Sequence, residues 1–305
     1  MIRAPLFLTF SVKPWNSNTK SPTLIAMQID YRIDAVKPYI NWDYFFFAWG
    51  VHNKPDKEKQ QIREEAETRL ARYRNKYQTH ALFLLLDAYS DGDDVIVRPT
   101  PDPSPSEGNP EVRIPFLRQQ QGSPCLCLAD FIAPHAPHPS PSPTHQIGLF
   151  ATSADEGMEH DFDHDPYEKM MMQLLADRLA EATAERLHKE VRQTYWGYAR
   201  HEHLPMDELH TEQFEGIRPA VGYPSLPDAS LNFLLDELLH LQQIGIHLTE
   251  SGAMKPHASV SGLMLAHPQS RYFAVGKIDE RQLTDYARRR NLPVDTMRRF
   301  LAANL

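Results

Sequence analysis

Cysteine is nearly absent from these 305 residues: only Cys125 and Cys127 occur, separated by one residue. Two thiols so placed leave no set of spaced pairs that could staple a secreted fold, and a cytoplasmic protein is expected. Long apolar stretches of membrane length are missing too. The run Pro5 to Phe10 is too short to span a bilayer and weak as a signal peptide, so no membrane partner is expected. Positive charge is in deficit, with 32 basic residues against 40 acidic ones and a formal net charge of -8. Such a surface repels phosphates and argues against nucleic acid as a partner.

What remains is the composition of an ordinary globular protein of a length that suits one extended domain. Amphipathic sequence begins just after Met27, at Gln28-Ile29-Asp30-Tyr31. Residues 1–26 therefore read as a disordered leader or a misassigned start, and the domain as 27–305. Two proline-rich stretches, 98–110 and 134–143, cannot bury enough apolar surface to order themselves and read as loops within one fold.

Between them the periodicity switches repeatedly. Pro55 to Tyr77 spaces Ile62, Ala66, Leu70 and Tyr73 among charges, as an amphipathic helix does. Ala81 to Tyr89 and Asp94 to Arg98 flank Ser90-Asp91-Gly92-Asp93 and predict a strand, a turn and a strand. Further strands are expected at Glu111–Phe116, Cys125–Phe131, Gln146–Thr152, Ala258–Ala266 and Tyr272–Ile278. The longest helical signal runs from Asp165 to Trp196, with Pro166 in its first turn and Met171, Leu174, Leu175, Leu179 and Ala182 on the inward face. Another helix fits Ala229–Gln243 and stops at Gly245, and two short ones start at Asp279 and Pro293. Strands and helices do not alternate regularly, so the fold class is α+β with a mostly antiparallel sheet.

Some constellations look like sites and have plainer readings. Glu159 to Asp165 crowds acids and histidines, but it lacks the glycine and distal glutamate of a calcium loop and precedes a helix N-terminus, where acids are favoured. Cys125 and Cys127 alternate with Leu126 and Leu128 as core thiols of a strand would. The aromatics from Tyr44 to Trp49 read as core residues at helical spacing.

Four segments carry more information together. They are Tyr39-Ile40-Asn41-Trp42 with its following aromatics, Leu175 to Ala182 running into Tyr195-Trp196-Gly197-Tyr198-Ala199, Gly216-Ile217-Arg218-Pro219-Ala220-Val221-Gly222-Tyr223-Pro224, and Leu248 to Val275. In order and spacing the chain from about Tyr31 onward resembles the activation domain of cobalamin-dependent methionine synthase. The resemblance implies a single C-shaped domain, a bent antiparallel sheet with flanking helices, that binds S-adenosylmethionine in a shallow groove. It further implies that cobalamin is carried by a partner, a cobalamin-binding methionine synthase polypeptide, with a flavodoxin or similar electron donor. The implied ligand contacts are Arg218, Ala220, Gly222 and Tyr223 of the motif loop, Glu181 of the long helix, Tyr272 and Phe273, and Asn41, which stands where the family has an aspartate. No Asp-x-His-x-x-Gly sequence is present, so the chain is expected to hold no cobalamin and to be a free-standing component of a reactivation system rather than a complete enzyme.

The residue types suit that ligand. A carboxylate, an ammonium, an adenine and a sulfonium need a fixed cation, an acid and a flat apolar surface. Arg218 lies on a loop stiffened by Pro219 and freed by Gly222. Glu181 falls beside the apolar face of its helix. Tyr272 and Phe273 point to opposite faces of their strand, so at most one stacks on a ligand while the other enters the core. Taken singly, an arginine in such a loop or a glutamate on a long helix is as readily an ion-paired structural residue. Asn41 supplies no charge, which motivates the alternative of a docking or regulatory protein of the same fold with weak binding. A conventional methyltransferase ranks third, because a glycine-rich loop after a first strand is lacking.

Overall fold

A computed structural model describes residues 26–98, 111–135 and 142–305. The leader expected over 1–26, save its last residue, and the greater part of the two proline-rich loops lie outside the described residues. Along the chain come β1 (Met27–Arg32), α1 (Ile33–Val36), α2 (Trp42–Ala48), α3 (Asp56–Tyr73), β2 (Gln78–Asp91), β3 (Asp94–Arg98), β4 (Val112–Pro115), β5 (Gln146–Ala154), α4 (Gly157–His160) and α5 (Pro166–Glu190). Then follow α6 (Met206–His210), α7 (Leu231–Leu239), β6 (His247–Leu248), β7 (Met254–Lys255), β8 (Ser259–Met264), α8 (Glu280–Arg289) and α9 (Val294–Phe300). No described helix is long and apolar enough to cross a membrane.

The main sheet is antiparallel throughout and runs β4-β3-β2-β5-β8. It curls into a half-barrel, the bent α+β architecture expected from the sequence. Strand β2 is long enough to serve two partners on one edge, β1 along Gln78–Phe83 and β3 along Asp87–Asp91. Its run Ala81-Leu82-Phe83-Leu84 is buried on both sides, which is why it reads as continuous rather than alternating apolar sequence. Leu82, Leu84 and Leu86 join Leu149, Leu263 and the α7 leucines in one core. Ala81, Phe83 and Phe150 face Met171, Met172, Leu175 and Leu179 of α5 in the other. Full burial of each such Leu or Met contributes about 1.5–3 kcal/mol, so α5 is welded to the sheet by its apolar stripe.

Helix α5 begins where its sequence says. The Asp165 side chain accepts from the backbone N–H groups of Tyr167 and Glu168 at 3.0 and 3.1 Å, and Pro166 occupies the first turn. Other acids of the crowded segment have partners of their own: Asp161 accepts from Lys76 and Tyr77, and Asp163 pairs with Lys169. At its far end α5 runs into a wider π-type turn over Val191–Tyr195.

Three expectations fail, each for a physical reason. Cys125–Phe131 is no strand: the Asp130 carboxylate captures the Cys127 N–H at 2.9 Å and is itself held by Arg118, which winds Leu128–Phe131 into a 3-10 turn. Tyr272–Ile278 is irregular too, because its backbone groups bond to loops, Val275 N–H to Pro224 and Ile278 N–H to Asn304. The aromatic run is only half core. Phe45 is fully buried and stacks on Trp49 at 6.2 Å, whereas Tyr44 and Phe47 are 63% and 66% exposed, since helical spacing sends them to the opposite face.

The segment Ile217–Val221 docks on β8 as a further, irregular edge. Backbone bonds link Ile217 with Leu265 in both directions, Leu263 N–H with Pro219 and Val221 N–H with Ser261. This approach depends on Gly262, where a Cβ would lie 2.2 Å from the Pro219 carbonyl oxygen and 2.8 Å from Ala220 Cα. Gly262→Ala is therefore expected to push the segment off β8 and cost about 1–3 kcal/mol, read as a lower urea midpoint. A second prediction concerns His80, whose two ring nitrogens lie 2.7 Å from Asp30 and 2.9 Å from Asp155. Burial disfavours the imidazolium, but the Asp155 and Asp30 carboxylates outweigh it and raise the pKa above its ordinary value. The stabilisation is then complete below the unfolded-state pKa of about 6.5 and is lost as pH rises through the folded value. The gap in urea midpoint between wild type and His80→Gln should shrink from about pH 6 to about pH 9; a pH-independent gap would contradict the assignment.

Candidate functional site

The docking of Ile217–Val221 on β8 decides which side chains meet α5. Ile217 and Val221 enter the core on the far side of the sheet, while Ala220 joins the core on the α5 side. Arg218 points the same way as Ala220 and places its guanidinium 5.7 Å from the centre of the Phe150 ring on β5. Its backbone N–H donates to the Tyr272 hydroxyl at 2.8 Å. Burial, ahead of other causes, pushes the Tyr272 hydroxyl up to about 12, so it stays a neutral group whose oxygen can accept.

Helix α5 answers with acids at every fourth position, Asp177, Glu181 and Glu185, a spacing that stacks them on one face. Glu181 accepts from the Tyr223 hydroxyl at 2.6 Å. Glu185 accepts from Arg218 Nη2 at 3.3 Å, and the two side chains are only 13% and 12% exposed. Asp177 is desolvated enough to raise its pKa to about 6. Glu212, before the motif loop, lies close enough to feel the charges of both Arg218 and Glu185.

Two features of this cluster suit a polar ligand. Arg218 Nε and Glu185 Oε1 are buried and have no partner among the described residues, a costly condition that a ligand carrying opposite charges would relieve. Beside them the Tyr223 ring is 50% exposed, on a turn where Gly222 adopts φ 88. That backbone conformation is open to glycine at little cost. A flat apolar surface, a buried cation and two carboxylates thus converge between α5 and the motif loop.

The structure brings together Arg218, Ala220, Gly222, Tyr223, Glu181 and Tyr272 of the sequence-predicted residues. Phe273 is partly buried against the sheet core and the C-terminal helices, and since its segment is no strand, the opposite-face argument for Tyr272 and Phe273 lapses. Asn41 stands apart in its contacts. Its Oδ1 caps α2, accepting from the N–H groups of Asp43 at 3.1 Å and Tyr44 at 3.5 Å, and it makes no hydrogen bond to the other candidates. Sequence reasoning overlooked Glu185 and Glu212. The repeat of acids at 177, 181 and 185 was a usable signal for the first; nothing local marks the second.

Known proteins match the chain as a whole. The chain is similar to the MetH reactivation domain, solved in a crystal structure bound to AdoHcy, with 34% sequence identity, a TM-score of 0.81, and 96% of this chain and 95% of that one covered. Residues 32–291 match the family described as the vitamin B12 dependent methionine synthase, activation domain. With the match covering most of its length, the chain belongs to the activation-domain family of vitamin B12 dependent methionine synthases.

Proposed function

We propose that the chain binds S-adenosylmethionine between α5 and the motif loop and presents its methyl group for reductive reactivation of cob(II)alamin carried by a separate methionine synthase polypeptide. The observation that carries the reading is the half-satisfied pair of Arg218 and Glu185, buried beside the exposed Tyr223 ring. The AdoHcy bound to the structural relative supports the same ligand class. Arg218 would take the ligand's carboxylate, Tyr223 would cover an apolar face of it, and the carboxylates of α5 would face its positive charges.

When bound, S-adenosylmethionine supplies a methyl group on a cationic sulfur. The chain's own residues contribute position and charge, and no acid, base or nucleophile is required of them. Holding two reactants in line removes much of the entropic cost of their encounter, up to roughly 7–11 kcal/mol in well-aligned cases. The electron comes from a flavodoxin or a similar donor, and the cobalt from the partner polypeptide.

Isothermal titration with S-adenosylmethionine tests the reading directly. Saturable binding by the wild type and a loss of at least about a hundredfold in Arg218→Ala are expected, because a charge-assisted pair in a buried site is removed. No heat up to millimolar ligand would leave the docking or regulatory reading in its place. Asn41→Asp separates the two readings further. Aspartate caps a helix as well as asparagine does, so the urea midpoint should stay put while affinity for S-adenosylmethionine rises about tenfold if this position faces the ligand's ammonium.

A further inference from the structure

Two buried arginine pairs lie side by side along α5 and its extension, and they differ in one respect. Arg192 meets Glu202 through both Nε and Nη2, at 2.9 and 2.7 Å, with the two side chains 0% and 8% exposed and the guanidinium 4.1 Å over the Phe214 ring. That is a two-bond fork, the geometry of a structural ion pair, with only Nη1 left buried and without a partner among the described residues. Arg218 meets Glu185 through Nη2 alone at 3.3 Å, and neither Nε nor Nη1 makes a hydrogen bond. Glu185 is the only hydrogen-bond partner of the Arg218 side chain among the described residues. The β8 contacts fix the backbone of this arginine and Phe150 lies beneath its charge, but neither sets the rotation of the guanidinium about its own axis.

We propose that Glu185 is a positioning residue for S-adenosylmethionine, acting through Arg218: it holds one corner of the guanidinium and leaves Nη1 for the ligand's carboxylate. Placement on α5 makes this possible. Glu181 and Glu185 lie one turn apart, and each meets one residue of the motif loop, Tyr223 and Arg218. The helix thereby sets both the apolar and the cationic element of the loop at one spacing. A second bond from Glu185, as Glu202 makes to Arg192, would fix the guanidinium at two corners and leave it no freedom to turn toward a ligand. The inference rests on the reading of Arg218 as a ligand contact.

The test is a double-mutant cycle with Glu185→Gln, Arg218→Ala and the double variant, titrated with S-adenosylmethionine and with 5′-methylthioadenosine, which lacks the amino-acid end. Glu185→Gln is expected to weaken S-adenosylmethionine binding about tenfold, leave 5′-methylthioadenosine unchanged, and add nothing in the Arg218→Ala background. An unchanged affinity for S-adenosylmethionine, an equal loss for both ligands, or additive losses in the double variant would each overturn the role of Glu185. Wild-type protein that fails to bind, or an Arg218→Ala variant that keeps full affinity, would instead remove the groove reading, and this inference with it. Urea midpoints of all variants monitor the fold. Should Glu185→Gln unfold, Glu185→Asp takes its place, with a smaller loss confined to S-adenosylmethionine expected and a loss common to both ligands counting against the proposal.

Discussion

The close approach of the Ile217–Val221 backbone to β8 is the constraint on which the rest of the site depends. Hydrogen bonds from alternate residues hold the segment edge-on to the sheet, so side chains must alternate between its faces. Ile217 and Val221 are thereby committed to one core, and Arg218 and Ala220 to the side of α5. Only a residue without a side chain at Gly262 permits the contact. A glycine with no side chain of its own, packed against the carbonyl next to Arg218, thus decides where the arginine's charge lies.

Helix α5 is the other half of the device. Its apolar stripe is fully buried against β2, β5 and β8, which fixes its rotation about its own axis. Once that rotation is fixed, the neighbouring acids are fixed with it, and Glu181 and Glu185 meet the motif loop. Burial energy spent on packing therefore also orients polar groups, and the hydroxyl of Tyr223 and the guanidinium of Arg218 find acids already waiting. The C-terminal helices are bound to the same frame from the opposite side: Asp94, buried at the hairpin end of β3, is held by both Arg113 on β4 and Arg289 on α8.

Much of the fold was legible residue by residue. The β2–β3 hairpin was written in Asp91-Gly92-Asp93, with Gly92 at φ 63, and the start of α5 in Asp165-Pro166, because caps and turns are decided by neighbours in the chain. The misses were places where a side-chain hydrogen bond, a distant loop or helix geometry overrode the apolar pattern. Apolar alternation around Cys127 lost to the Asp130 side chain and its Arg118 clamp. Alternation after Tyr272 lost to loops that took its backbone hydrogen bonds. Helical spacing placed Tyr44 and Phe47 outside although their composition suggested core.

By itself the sequence determined the α+β class, the extent of the long helix, the family and the loop carrying Arg218, Gly222 and Tyr223, since each is encoded in contiguous residues or in the order of short motifs. Tertiary structure alone decided that Arg218 pairs with Glu185 rather than Glu181 and that Tyr223 takes Glu181. Those choices depend on how far two elements separated by dozens of residues slide past each other, and that distance is set by core packing, which no local pattern records.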